Sequence, residues 1–235
     1  MNNQEQFYQE AFARSAIVMG QDALNKLYNS SVCVCGLGGV GSYAAIALAR
    51  SGVGKITICD NDVIVNSNIN RQIHAGIDTL GQYKTHVMKR LIQNINPFCD
   101  VTEKTVFLDD SNISDVISGC CYVIDAIDSV NSKLALIQYA CENSVNIISC
   151  MGAGNKLYPE RLEIADIYET SVCPLAKIMR SELRKRGVPS LKVCYSKETP
   201  TRAEACSTVG SVSFVPPAAG FMLAAVVIRE LGIQA

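Results

Sequence analysis

A chain of 235 residues, 49% of them hydrophobic, can bury the core of one sizeable α/β domain and is too short for a second full one. The formal net charge of −1 excludes a globally basic surface for nucleic acid, so any RNA contact must come from a local patch. Eleven cysteines, an odd number, behind a polar start without a signal peptide exclude a disulfide framework and lead us to expect reduced thiols in a cytoplasmic protein.

Residues 4–29 are expected to be helical, with Phe7, Phe12, Ile17, Leu24 and Leu27 as apolar positions among polar ones. VCVCG (32–36) reads as a short buried strand. It runs into GLGGVG (36–41), which places Gly36, Gly38 and Gly41 in a Gly-x-Gly-x-x-Gly pattern before the alanine-rich helical run SYAAIALARSG. Glycines let backbone approach a phosphate, and a helix N-terminus, with roughly half a positive charge and free N–H donors, holds it there. The next strand, KITICD, ends at Asp60, near the spacing at which such units set a carboxylate on the ribose hydroxyls. Alone, this pattern favours an NAD-dependent dehydrogenase. The loop 60–74, DNDVIVNSNINRQIH, changes that reading. It crowds Asp60, Asp62, Asn68, Asn70, Arg71 and Gln72 at the carboxyl end of the strands, where hydride transfer has no use for them and a triphosphate has.

Residues 79–95 form an amphipathic pattern, with Leu80, Tyr83, Val87, Leu91 and Ile95 on one face and Lys84 beside it. DVTEKTVF (100–107) alternates as a half-buried strand, and DSNISDVI starts a short helix. CYVIDAID (121–128) is a fully buried strand with Asp125 and Asp128 at its end. Asp125 could cap the following helix, SVNSKLALIQYACEN. A further strand, NIISCMGAG, closes an α/β, Rossmann-like, doubly wound mixed sheet with helices on both faces. We expect one domain over 1–235, with a nucleotide-binding core at 1–155 and a part for substrate recognition and dimerisation at 156–235.

In that second part the strand RLEIADI precedes the helix CPLAKIMRSELRKRG, on which Lys177, Arg180 and Arg184 line up as a basic stripe, extended by Arg186 and Lys192. The stripe is either a solvated face or a contact for RNA backbone. SKETPTRAEA (196–205) reads as a flexible polar loop. The run VSFVPPAAGFMLAAVVI, broken by a double proline, reads as a buried helix rather than a membrane span. Cys33, Cys35, Cys59, Cys121 and Cys150 fall in expected buried strands, where cysteine acts as a small hydrophobe. No Cys-x-x-Cys pair is present, which argues against a structural zinc.

GLGGVGS, DNDVIVNSNINRQ, Lys84 in the next helix and DAIDS at 125–129, in that order, resemble the ubiquitin-activating-enzyme-like ATP-binding superfamily, whose bacterial members adenylate carboxylates. Within it, NINRQIHA, DAIDSV and GAG at 152–154 are most similar to the tRNA threonylcarbamoyladenosine dehydratases, over nearly the whole chain and most weakly from 190 to 202. The resemblance implies an ATP site made of Gly36, Gly38, Gly39, Gly41, Asp60, Asp62, Asn68, Arg71, Gln72, Lys84 and Asp128. It also implies magnesium on Asp128, a homodimer in which Arg14 reaches the phosphates of the partner subunit, and tRNA as substrate. Arg71, Lys84, Asp128 and Arg14 would carry catalysis by neutralising the leaving pyrophosphate. His74, one of two histidines, is a candidate cyclisation base set against a packed histidine bonded to backbone. Cys206 is the cysteine placed for an acyl-accepting thiol, though no basic neighbours activate it. The competing readings are an adenylyltransferase acting on the tail of a ubiquitin-like sulfur-carrier protein, which the missing zinc cysteines disfavour, a dinucleotide oxidoreductase, and a nucleotide sensor without turnover.

Overall fold

The computed structural model describes residues 3–201 and 209–233, so Cys206 lies outside the described residues. Its strands are β1 (Ser31–Cys35), β2 (Lys55–Cys59), β3 (Asp100–Lys104), β4 (Tyr122–Asp125), β5 (Asn146–Cys150), β6 (Leu162–Asp166) and β7 (Lys192–Ser196). They form one seven-stranded sheet in the order β3-β2-β1-β4-β5-β7-β6. Every neighbouring pair is parallel except β6 and β7 at one edge. The helices are α1 (Asn3–Ala11), α2 (Ala13–Met19), α3 (Gln21–Tyr28), α4 (Gly41–Arg50), α5 (Lys84–Ile95), α6 (Ile113–Val116), α7 (Val130–Glu142), α8 (Pro174–Lys185) and α9 (Val215–Ile228).

SVCVC and YVID are apolar on both faces, the mark of central parallel strands covered on both sides. Side-chain alternation then divides them. Val32, Val34, Ile56, Ile58, Ile124 and Ile148 pack under α4, α5 and α9, while Cys33, Cys35, Cys59 and Val123 face α6 and α7. A further cluster joins Leu134 and Ile137 of α7 to Met179 and Leu183 of α8 and to Val193 and Tyr195 of β7. The chain leaves β1 for β2 on one side and reaches β4 on the other, so a topological switch lies between β1 and β4. A crevice at the carboxyl ends of these strands is where such sheets take ligands.

The structure redraws several expected elements. Residues 4–29 are three short helices, broken at Phe12 and Gly20, rather than one. Phe12, Leu24 and Leu27 are buried as expected, but Ile17 is 84% exposed. Phe7, Tyr8, Phe12, Tyr28 and Phe98 instead form an aromatic cluster with ring centroids 4.8 to 6.1 Å apart. The helix expected over 79–95 begins only at Lys84, because the chain turns at Gly81 and Val63 forms a bridge with Tyr83. Cys121 is exposed, since β4 starts one residue later. β7 was not legible as a strand, yet its burial and pairing to β5 and β6 tie the second part of the chain into the same sheet.

Val215–Ile233 is long and apolar enough to cross a membrane. Here α9 lies on α4, with Val215, Leu223, Ala224 and Val227 in the core. Ala219, Gly220 and Ala224 are buried within the chain, while Ala218 and Ala225 are half-buried.

Candidate nucleotide-binding site

At the carboxyl ends of the strands lies a cleft of about 1160 Å³. Its floor is the turn after β1. Gly36 has φ +88°, and a Cβ there would lie 2.6 Å from the Ala126 carbonyl oxygen. Gly41 packs still more closely: a Cβ on it would come within 1.8 Å of the Gly36 carbonyl oxygen. These two glycines let α4 start directly against β1 and β4, and Gly38, beside which nothing lies within 4 Å, leaves open space above the turn. Of the residues expected at the ATP site, all line the cleft except Gly41, which packs tightly against the turn, while the expected Arg14 is exposed on α2 and does not line the cleft of its own chain.

The end of β2 supplies the acid. One oxygen of Asp60 accepts from the Leu37 N–H at 2.7 Å and the other from the Asp62 N–H at 2.8 Å. Burial raises the Asp60 pKa, opposed by the Lys84 charge and by these two N–H groups. Lys84 is 5% exposed and is the first residue of α5, where its charge faces the positive end of the helix dipole. Two carboxylates offset that cost: its Nζ lies 2.6 Å from Asp62 and 3.7 Å from Asp60. The lysine is thus a buried member of the site and not a solvated side chain.

The loop after β2 carries the other donors. Asn68 is buried and accepts from the Val65 N–H at 3.1 Å, which fixes the loop from within. Arg71 donates to the Ser67 carbonyl at 2.7 Å and to Asn70 at 2.9 Å, and its chain would touch a side chain placed on Gly39. Gln72 is buried with no partner for its Oε1 among the described residues. His74 is 2% exposed, and neither ring nitrogen has a partner there, so the expected bond to backbone is not made. Burial first, and then the Lys84 charge, push its pKa down to about 4, which keeps the imidazole neutral at pH 7. It does not line the cleft.

Asp128 faces the cleft, exposed and without a partner for its carboxylate among the described residues. No group of three or more His, Cys, Asp or Glu able to hold a metal occurs among the described residues. A magnesium ion, which commonly uses one or two carboxylates together with phosphate oxygens and water, fits that single free acid.

Two features beside the cleft were missed in the sequence. Asp125 does not cap α7, a role taken by Ser129. Asp125 is instead fully buried against Lys133, with Nζ 2.7 Å from its Oδ2, while the Lys133 ammonium also donates to Ser149 Oγ at 3.1 Å and to the Cys150 carbonyl at 3.0 Å. Ser149 donates back to Asp125 at 2.6 Å, and the second Asp125 oxygen accepts from the Ile127 N–H at 3.1 Å. This network holds the chain that carries Asp128. A lone lysine within an apolar helical run was the available signal. The second feature is Lys156, which lines the cleft beyond β5 and is 3% exposed. Burial lowers its pKa, against the Cys173 sulfur and the Glu198 carboxylate, which raise it. The stretch 196–199, expected to be a flexible loop, is anchored here, since the Glu198 carboxylate accepts from the N–H groups of Leu157 and Tyr158 at 2.9 to 3.1 Å.

On α8, Arg180 donates to the Thr170 carbonyl at 2.7 Å and Arg184 lies 5.1 Å over the Tyr168 ring, whereas Lys177 is exposed.

A glycine turn, an acid at the end of the next strand and a buried lysine around one cleft define a Rossmann-like nucleotide-binding protein. The ThiF family model matches residues 12–233, and the chain belongs to that family. It is 39% identical over 238 residues to the tRNA threonylcarbamoyladenosine dehydratase of Bacillus subtilis, a match that covers 94% of each chain. The solved structure of the E. coli tRNA N6-threonylcarbamoyladenosine dehydratase TcdA in complex with ATP superposes with a TM-score of 0.90 at 34% identity, covering 95% of this chain and 94% of that one. A more partial likeness, 34% over 131 residues, links 56% of this chain to 30% of the adenylyltransferase and sulfurtransferase UBA4 of Saccharomyces cerevisiae.

Proposed function

We propose that this chain uses ATP to dehydrate threonylcarbamoyladenosine in tRNA, next to the anticodon, by activating the threonyl carboxylate. The observation that carries the reading is the near full-length likeness, on both sides, to dehydratases of that name, together with a cleft in which Asp60, Arg71, Lys84 and Asp128 come together. A carboxylate oxygen attacks the α-phosphorus, pyrophosphate leaves, and an acyl adenylate forms. The carbamoyl group then attacks the activated carbonyl, AMP leaves, and the net change is loss of one water. Asp60 holds the ribose hydroxyls, the backbone at Gly38 and Gly39 lies along the phosphates, and Arg71 and Lys84 neutralise the charge that grows on the leaving group. Asp128 is the residue that would hold a magnesium ion, which when bound would further neutralise the phosphates. Lys177, Arg180 and Arg184 give a chain of net charge −1 a place to meet RNA backbone. In a homodimer, Arg14 would reach the partner's phosphates. Exposed apolar side chains on α2 and on the loop after β2, with Val18 at 85% and Ile77 at 78%, favour such a partner. We assign the protein to the cytoplasm.

The sulfur-carrier reading has only the shorter likeness behind it, and the same experiment separates the two. Incubated with ATP, magnesium and tRNA bearing threonylcarbamoyladenosine, the protein should release AMP and leave a nucleoside lighter by one water. A sulfur-carrier protein offered instead should stay unmodified. AMP release that depends on the carrier protein and not on tRNA would overturn the proposal.

A further inference from the structure

Lys156 is a buried cation in the cleft to which the ATP site described above gives no task. Among the described residues its ammonium has one hydrogen-bond partner, the main-chain carbonyl of Glu198. The Glu198 carboxylate is itself engaged on the amides of Leu157 and Tyr158. A lysine ammonium carries three donors, and a buried charge is costly unless those donors are met. Lys133 shows the contrast: fully buried too, it meets a carboxylate, a hydroxyl and a carbonyl. Lys156 retains donors for an anion that enters the cleft.

Position indicates which anion. Asp60 and Lys84 approach from the end of β2, the glycine turn follows β1, Asp128 follows β4, and Lys156 follows β5. In the sheet order β2-β1-β4-β5, the nucleotide's ribose side and Lys156 are separated by three strand spacings, about 14 Å at ~4.8 Å each. The glycine turn and Asp128 lie between, where the α-phosphate would sit. A cation on the far flank faces the second substrate.

We propose that Lys156 receives the substrate's carboxylate, holding one oxygen on the β5 side of the cleft while the other faces the α-phosphorus. This rests on the carboxylate-activating reading above. The cation offsets the repulsion between two anions brought together and orients the nucleophile. Gly152, Ala153 and Gly154 line the same flank, with Val209 packed closely against Gly154.

The test pairs the lysine with the carboxylate. Affinities are measured for tRNA bearing threonylcarbamoyladenosine and for the same tRNA with unmodified adenosine, on the unaltered protein and on Lys156→Met and Lys156→Gln. The Gln variant keeps a donor for the Glu198 carbonyl and decides the matter if the Met variant does not fold. The unaltered protein should prefer the modified tRNA, and both variants should lose that preference by on the order of 30-fold, the scale of a severed buried charge contact. Affinity for unmodified tRNA and for ATP should stay within about twofold, which a merely structural role for the lysine would not produce. A preference that survives in both variants overturns the assignment of Lys156 alone. Absence of any preference in the unaltered protein overturns the carboxylate reading itself, and this inference with it.

Discussion

Replacing Lys133 by methionine should lower the free energy of unfolding by about 3 to 5 kcal/mol, the cost of leaving one member of a buried ion pair alone. Asp125 and Lys133 are both 0% exposed, so no water can take over the role of the missing partner. Of the Asp125 contacts, only the Ser149 hydroxyl and the Ile127 N–H remain in the variant. A second substitution, Asp125→Asn, removes the stranded charge, and the double variant should recover a large part of the loss. Urea denaturation of the four proteins measures this directly. A Lys133→Met protein within 1 kcal/mol of the original would mean that the pair contributes little. The effect should extend to the site, because the Ile127 N–H held by Asp125 is one residue from Asp128.

Lys84→Met should reduce the single-turnover rate of AMP formation by about 10² to 10³, the range seen when one preorganised charge-stabilising donor is removed. Two changes act together. The cation next to the phosphates disappears, and Asp60 loses the largest influence that lowers its pKa, leaving burial to raise it further. A protonated Asp60 is a poorer acceptor for ribose hydroxyls, so ATP affinity should fall as well. Lys84→Arg should recover part of both, since it restores charge without the fit to the pocket between Asp60 and Asp62. A rate within threefold of the original for Lys84→Met would remove the lysine from the reaction.

The legible parts of this chain were those in which a function fixes the spacing. β1, the glycine turn, α4, β2 and Asp60 follow one another without interruption, and the ATP-site residues Gly36, Gly38, Gly39, Asp60, Asp62, Asn68, Arg71, Gln72 and Lys84 meet at one cleft with Gly41 packed against its turn. Where tertiary contact decides, sequence pattern misled or fell silent. Ile17 has the spacing of a core residue but points outward, because Phe7, Tyr8 and Phe12 fill the available apolar surface with rings. The amphipathic pattern ran through Leu80 and Tyr83, yet a turn at Gly81 postponed the helix to Lys84. KVCYS, flanked by lysines, looked like an extension of the basic stripe, and only the free edge of β5 makes it a strand. Asp125 and Lys133 are eight residues apart on a strand and a helix, a separation with no local signature. Lys156 and Glu198 are brought together from 42 residues apart, which turns an expected loop into one wall of the site.

Attack of the substrate carboxylate on the α-phosphate of ATP moves an oxygen atom from one to the other, and isotope transfer reports that step. The threonyl carboxylate of the modified tRNA is labelled with oxygen-18, the tRNA is turned over with ATP and magnesium, and the nucleotide products are analysed by mass. An acyl adenylate forms through a carboxylate oxygen and releases it with the phosphate when the ring closes, so the label should appear in AMP, one atom per turnover. Label found in orthophosphate alongside ADP, or AMP formed without label, would contradict the account.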